Sequence, residues 1–119
     1  MDETKIVNDK FIEFSKTYVE NGSTIQDQKE RLTIAVTAWN ISYWDDEEKR
    51  QKYIQEFESY FKNSALRQKK VLDLLDLIKL KYEKYKEYPN QIIKHKLRVK
   101  GKQVLFELTV SEYNKNQRQ

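Results

Sequence analysis

The 119-residue sequence contains no cysteine, one histidine, two glycines and one proline. Without cysteine the chain has no disulfide, no thiolate nucleophile and no cysteine-ligated metal. A single histidine argues against most zinc, iron and copper sites. Two isolated glycines also provide no phosphate-binding loop of the Walker or dinucleotide type. We therefore expect a protein without a bound cofactor.

Long apolar runs are missing as well. The longest stretch without a charged residue, Leu32–Trp44, has thirteen residues, whereas a membrane-spanning helix needs about 20. The acidic start Met1-Asp2-Glu3 has neither the basic nor the apolar region of a secretory signal. We therefore expect a cytoplasmic protein that makes no membrane contact. Lysine outnumbers arginine by 18 to 5, a codon-related bias that favours a bacterial or phage origin.

Aromatic and charged side chains are plentiful, at 13% and 35% of the chain. This aromatic content can build a core, which a disordered chain cannot do, and the length favours one domain. The periodicity predicts an α+β fold, in which a compact four-helix bundle is followed by a C-terminal antiparallel β-hairpin packed on the helices. We place this single domain at residues 1–110 and a polar, disordered tail at residues 111–119.

The first two helices are predicted over Thr4–Glu20 and about Thr24–Tyr43. In the first helix one apolar stripe contains Val7, Phe11, Phe14 and Tyr18. Between the helices, Asn21-Gly22 predicts a left-handed helix stop and Ser23-Thr24-Ile25-Gln26 predicts a capping box. The second helix carries apolar residues on nearly opposite sides, which predicts a central position in the fold.

The third and fourth helices follow two further start signals. The acidic run Asp45–Glu48 predicts a helix that continues to about Lys62, with Asp45 as its N-cap. Its expected core residues are Tyr53, Phe57 and Tyr60, with Ile54 and Phe61 beside them. The fourth helix is predicted over Ala65–Glu87, ending before Pro89. Its expected core seam contains Val71, Leu75, Ile78, Tyr82 and Tyr85.

After Pro89 the apolar period changes from helical to alternating, which predicts two strands. A two-residue turn at Lys100-Gly101 brings the apolar side chains of both strands to one face. The expected pairs are Leu97 with Val104, His95 with Phe106 and Ile93 with Leu108. A lone hairpin is marginal in water, so we expect this apolar face to lie on the helices.

Candidate catalytic groups are few. His95 is the sole imidazole, and no motif supplies the nucleophile or orienting acid that a catalytic histidine needs. The run Asp45–Glu48 lacks the alternating ligands and glycine of a calcium loop, so helix-start acids explain it better. We therefore expect neither a catalytic nor a metal site, and the protein is predicted not to be an enzyme.

Charge is distributed unevenly along the chain. Residues 1–63 carry 9 basic and 13 acidic side chains, whereas residues 64–119 carry 14 basic and 6 acidic ones. The basic residues concentrated in the hairpin are Lys94, Lys96, Arg98, Lys100 and Lys102. Alternate lysines on a strand face suit phosphates, although exposed lysines also protect strand edges from aggregation. This pattern supports our alternative hypothesis of a nucleic-acid-binding accessory protein.

Three leucines of the fourth helix lie off its expected core seam, namely Leu72, Leu77 and Leu80. They indicate either a helix packed on two sides or an apolar surface for a partner. Our leading hypothesis is therefore a small non-catalytic protein that binds another protein, as an adaptor, inhibitor or assembly subunit. The sequence does not identify the partner, and a second copy of the chain, which would form a homo-oligomer, is one candidate.

Overall fold

The computed structural model of the chain describes residues 3–42, 44, 46–59, 64–101 and 103–111. Its helices are α1 (Glu3–Glu20), α2 (Ile25–Ile41), α3 (Glu47–Ser59) and α4 (Ser64–Lys84). They are followed by strands β1 (Ile92–Lys100) and β2 (Gln103–Val110), which pair as an antiparallel hairpin. Since the hairpin rests on α1 and α2, the predicted α+β fold is confirmed.

Helix α2 is central, as its two apolar sides predict. It contacts α1, α3, α4 and β1, while β2 lies along α1. Its buried side chains are Leu32, Ile34, Ala35, Val36, Ala38, Trp39 and Ile41. These positions surround most of the helix, so α2 provides the surface on which both the other helices and the hairpin assemble.

Aromatic rings fill the middle of the core around Trp39. The Phe11 and Phe14 rings of α1 meet the Trp39 ring edge-on, at centroid distances of 5.4 and 5.2 Å. The Tyr85 ring, just after α4, lies 6.0 Å from that of Trp39. Edge-to-face contacts of this kind add to the free energy gained from apolar burial, so one cluster joins α1, α2 and the end of α4.

A buried lysine closes the end of α4. The Lys81 ammonium lies 3.6 Å from the centroid of the Trp39 ring and donates hydrogen bonds to the carbonyls of Tyr85 and Tyr88. A cation suits the negative end of a helix macrodipole, where carbonyls lack helical partners. This arrangement ends α4 at Lys84, earlier than the predicted Glu87.

Two neighbouring residues of α2 fasten the start of the hairpin. The Trp39 indole N–H donates to the Asn90 carbonyl at 2.8 Å. The Asn40 amide donates to the Ile92 carbonyl at 2.9 Å and accepts from the Ile92 N–H at 2.8 Å. The Asn40 side chain thus satisfies both backbone groups of Ile92 and fixes how β1 lies on the helix.

The turn between α1 and α2 differs from the prediction. Among the described residues only Gly101 has a positive φ, so Gly22 is not a left-handed stop. A Cβ on Gly22 would instead lie 2.8 Å from Gln28 Cγ and 2.9 Å from the Gln28 nitrogen. Glycine is therefore needed because the chain passes so close to the first turn of α2.

The α2 cap lies one residue later than predicted. Thr24 is the N-cap, and its hydroxyl accepts from the Asp27 N–H at 3.0 Å. The Asp27 carboxylate in turn accepts from the Ser23 N–H at 3.0 Å. The reciprocal logic of a capping box is therefore present, but Thr24 and Asp27 carry it rather than Ser23 and Gln26.

At the start of α3, Asp46 Oδ1 accepts from the Glu48 N–H at 2.9 Å. Asp46 therefore has the capping contact that was predicted for Asp45. Phe57 is buried as predicted, but Tyr53 is exposed and Ile54 is half-buried. The predictions for Tyr43, Asp45, Tyr60, Phe61, Lys102 and residues 112–119 lie outside the described residues.

The buried side of α4 is offset from the predicted seam. Its buried side chains, with that of the residue after the helix, are Lys70, Leu74, Leu77, Lys81 and Tyr85. Leu75 and Tyr82 are 43% and 41% exposed, so the seam prediction is wrong at these positions. The reason is that two positions of the buried stripe are lysines, whose aliphatic stems are covered while their ammonium groups have partners.

The hairpin keeps the predicted alternation of faces but not the predicted register, and of the β1 residues assigned to the apolar face Leu97 is buried whereas Val99 is 42% exposed. Leu97 pairs with Phe106 and Lys100 with Gln103, which moves the two-residue turn to Gly101 and position 102. A shift of two residues preserves the face of every side chain. An irregularity between Ile92 and Lys94 buries Ile92 and leaves Ile93 60% exposed, contrary to the prediction for Ile93.

We predict that Asn40→Ala lowers the free energy of unfolding by about 1–3 kcal/mol, because both backbone groups of Ile92 lose their partner. Asn40→Asp should cost at least as much, because it keeps an acceptor for the Ile92 N–H but turns a second carboxylate oxygen toward the Ile92 carbonyl, to which the Asn40 amide donates at 2.9 Å. Urea denaturation measures both effects, with Gln55→Ala on the exposed side of α3 as the control. Equal stability of Asn40→Ala and the control would contradict the role assigned to this amide.

Candidate functional site

The hairpin presents one fully exposed face, which we call the outer hairpin face. It consists of Lys94, Lys96, Arg98 and Lys100 from β1 and Gln103, Leu105, Glu107 and Thr109 from β2, all of them exposed. Each β1 residue stands opposite a β2 residue of the same face, as in the pairs of Lys96 with Glu107 and Arg98 with Leu105. The structure therefore brings four of the five predicted basic residues into one row, and Lys102 lies outside the described residues.

Positive charge on the outer hairpin face is largely uncompensated. The single acid, Glu107, accepts from the Arg98 guanidinium at 2.6 Å. Within the described part of the chain, Lys94, Lys96 and Lys100 have no carboxylate within 4.0 Å. In contrast, the ammonium groups of helix α1 are paired with acids three or four residues away, as in Lys5 with Asp9.

Strand geometry sets the spacing of this row. Alternate residues of a strand are about 6.8 Å apart and their side chains point to the same side. From Lys94 to Lys100 the basic row is therefore about 20 Å long. Like charges held at this spacing over a low-dielectric sheet create a positive potential that attracts anionic ligands.

The opposite face of the hairpin packs on the helices. Leu97 is buried, and Val104, Phe106, Leu108 and Val110 are partly buried against the core. Phe106 is the one aromatic residue of the two strands, and it alternates with the exposed residues of β2. The outer hairpin face therefore has charged, amide, hydroxyl and aliphatic groups but no aromatic ring.

His95 lies beside the helices rather than in a catalytic arrangement. Its Nε2 is 3.2 Å from the Thr33 hydroxyl, which also donates to the Lys29 carbonyl at 3.2 Å. The hydroxyl has one proton, so when that proton is donated to the Lys29 carbonyl the contact with Thr33 requires the His95 Nε2–H as donor. Partial burial alone lowers the pKa of His95, and no acid among the described residues contributes to this shift as an orienting partner.

The leucines of the leading hypothesis do not share one surface. Leu77 is buried, Leu80 is partly buried against the core, and only Leu72 is largely exposed, at 61%. A different apolar set is exposed on the same helix, which we call the α4 stripe, namely Leu72, Leu75 and Tyr82. The sequence pattern missed it because Leu75 and Tyr82 have the spacing of a core seam.

A shallow cavity of about 340 Å³ lies between α3 and α4 beside the α4 stripe. Ile41, Ile54 and Ile78 contribute apolar atoms to its lining, together with Leu75 and Tyr82. Helix α3 therefore covers this second apolar side of α4 only in part.

A polar cluster connects α1, α2 and α4 on another side of the fold. The Tyr18 hydroxyl donates to Asp73 at 2.9 Å, and burial together with this bond raises the pKa of Tyr18. Asp27 pairs with Arg31 at 3.3 Å and Lys70 at 3.5 Å. The Ser23 amide and these cations lower the pKa of Asp27. Because the groups of this cluster bind one another, its role is to hold α1, α2 and α4 together.

Neither a membrane-spanning helix nor a metal-binding group of side chains is present among the described residues. None of the helices there combines the length and apolar character needed to cross a bilayer. The same residues hold no group of three or more histidine and acidic side chains arranged for a metal ion.

Comparison with protein-family models, curated proteins and solved structures returns no match for this chain.

We predict that His95 makes the fold less stable in mild acid. Because the folded-state pKa is lowered, the folded protein binds fewer protons than the unfolded chain, whose histidine titrates near 6.5. The free energy of unfolding contributed by His95 is thus fully present above about pH 6.5 and declines as the pH falls through the folded pKa. Urea titrations of the wild type and His95→Gln between about pH 5 and 7.5 measure the difference, and parallel curves would contradict the prediction.

Proposed function

We propose that this protein is a non-catalytic nucleic-acid-binding protein and that the outer hairpin face is its binding surface. The observation that carries the proposal is the exposed basic row of Lys94, Lys96, Arg98 and Lys100, which faces a single acid, Glu107. This function fits the cytoplasmic location and the bacterial or phage origin inferred from the composition.

The physical basis of binding is the release of condensed counterions. Each lysine or arginine that neutralises a phosphate frees cations from the nucleic acid, which favours binding at low salt. Lys94, Lys96 and Lys100 make no ion pair among the described residues, so they reach a phosphate without first breaking one. Arg98 has to leave Glu107 or share its guanidinium between the carboxylate and a phosphate.

The geometry supports this function better than the leucine surface of the leading hypothesis. That surface needs Leu72, Leu77 and Leu80 to be accessible together, whereas Leu77 is in the core and Leu80 is partly covered. The basic row, in contrast, is exposed along the described part of both strands. We therefore place nucleic-acid binding first and keep protein binding as the second candidate.

As that second candidate, we propose self-association, with another copy of this chain bound along the α4 stripe. Leu72 and Leu75 are exposed on adjacent turns of α4, and the exposed residues Asp76 and Lys79 lie beside them. Two antiparallel copies of α4 centred between residues 76 and 79 bring Asp76 of each chain toward Lys79 of the other. A two-fold interface of this kind is self-complementary in both its apolar and its charged groups.

For nucleic-acid binding, the test is a salt titration with a fluorescent mixed-sequence DNA duplex. The double variant Lys94→Gln/Lys96→Gln should bind more weakly than the wild type. Its plot of log K against log salt should also be less steep, with the magnitude of the negative slope reduced by about 1.8, because two phosphate contacts are lost.

The matched control is Lys52→Gln/Lys84→Gln, which removes the same charge from exposed positions of α3 and α4. This control should retain the wild-type slope and nearly the wild-type affinity. If both double variants weaken binding equally, general charge rather than the outer hairpin face is responsible, and the proposed site is wrong. If the wild type at low salt binds neither this duplex nor single-stranded DNA nor duplex RNA, the function itself is refuted.

For self-association, sedimentation velocity over a range of concentrations should show the wild type moving from 14.5 kDa toward twice that mass. Leu75→Lys should remain monomeric, because a charge replaces an apolar contact at the interface. Leu105→Lys changes a leucine of the same 43% exposure on the hairpin, and it should associate like the wild type. A wild type that stays monomeric throughout refutes the second candidate.

A further inference from the structure

We infer that the ligand of the outer hairpin face is double-stranded DNA and that the two-stranded hairpin lies in its major groove. This inference rests on the proposed nucleic-acid binding and specifies which nucleic acid is bound and how. Three properties of the face support it: the absence of aromatic rings, the shape of a two-stranded ribbon, and the different side chains of its two strands.

The absence of aromatic rings disfavours single strands. Proteins that bind single-stranded nucleic acid stack successive bases on aromatic side chains. Phe106, the one aromatic residue of the strands, belongs to the face that packs on the helices. Among the described residues of the outer hairpin face, unpaired bases therefore find no aromatic ring on which to stack, whereas a duplex keeps its bases stacked internally.

The shape of the hairpin fits the major groove of B-DNA. Paired strands lie about 4.8 Å apart, and a groove about 12 Å wide admits a two-stranded ribbon. The outer hairpin face is also fully exposed along both strands, so the helices behind it do not obstruct the approach. The deep and narrow major groove of duplex RNA excludes side chains, which makes DNA the better fit.

The two strands offer different chemistry to such a groove. Strand β1 presents the basic row, which suits phosphates along the groove edge. Strand β2 presents Gln103, Leu105 and Thr109, each exposed and opposite a basic residue of β1. Glutamine amides pair with adenine, while aliphatic groups contact the thymine methyl that projects into the major groove.

Glu107 is the one group of the face that opposes binding. Its carboxylate holds Arg98 at 2.6 Å and faces the same side as the lysines. Removing its charge frees the guanidinium for phosphate or guanine and removes repulsion of the DNA backbone. Glu107 therefore limits the affinity of the face.

The first experiment compares one sequence in four forms by fluorescence anisotropy: the DNA duplex, each of its DNA strands, and the RNA duplex. We expect the DNA duplex to bind at least tenfold more tightly than the other forms. Equal binding of a single strand would overturn this inference while leaving the proposed function intact. Absence of binding to every form would instead refute the proposed function.

The second experiment probes the groove chemically. Replacing thymine by uracil in the duplex removes only the major-groove methyl groups. Loss of one methyl contact should weaken wild-type binding by about fourfold. The variant Leu105→Ala should respond less to this replacement, while its salt slope stays that of the wild type. Unchanged wild-type affinity for the uracil duplex would overturn the placement in the major groove.

A charge variant completes the test. Glu107→Gln should bind the DNA duplex several-fold more tightly than the wild type at low salt, and the gain should shrink as salt rises. The matched control Glu56→Gln removes the same charge from the exposed side of α3 and should have little effect. Weaker binding by Glu107→Gln would contradict the orientation assigned to the face.

Discussion

The fold depends on the contacts that Trp39 makes with the chain between α4 and β1. Its ring packs against Phe11 and Phe14 on one helix and supports the Lys81 ammonium at 3.6 Å. Its indole N–H binds the Asn90 carbonyl. A single side chain thus joins the aromatic core, the end of α4 and the start of the hairpin. Because the buried ammonium group has the ring and two carbonyls as partners, its desolvation is offset and α4 ends in one defined place.

The contacts that fasten the start of the hairpin to α2 determine where the outer hairpin face points. The Asn40 amide holds both backbone groups of Ile92, and the irregularity before Lys94 turns the following residues so that Leu97 faces the helices. Since side chains alternate along a strand, burying Leu97 necessarily exposes Lys96 and Arg98 on the other side. The candidate site is in this sense a consequence of core packing. Its side chains need no contacts of their own to be held in a row.

The helical spacing of apolar residues before Pro89 predicts the helices, and the alternating spacing after it predicts the hairpin. The outward position of the lysines is predicted as well, because every second residue of a strand lies on the same face whichever residues of the partner strand it pairs with. The α4 core could not be predicted in the same way. Lys70 and Lys81 count as polar in any apolar pattern, yet their stems are buried, so the pattern shifts to Leu75 and its neighbours. Long-range partners decide such positions. The closeness of Gly22 to the next helix and the exact hairpin register are likewise tertiary effects that local sequence does not encode.

The same geometry explains why positive charge accumulates on the hairpin and not on the helices. A helix places residues three and four apart side by side, so acids and bases of one segment neutralise each other, as Lys16 does with Glu20. A strand places alternate residues together, and neutralisation then depends on the paired strand, where Glu107 is the sole acid. Edge protection against aggregation also favours lysine on exposed strands. It does not require that one face of the ribbon remain almost free of acids. A row of basic side chains without acidic partners has an electrostatic cost from mutual repulsion, and a bound polyanion removes this cost. For that reason we favour phosphate binding over protection of the strand edge alone.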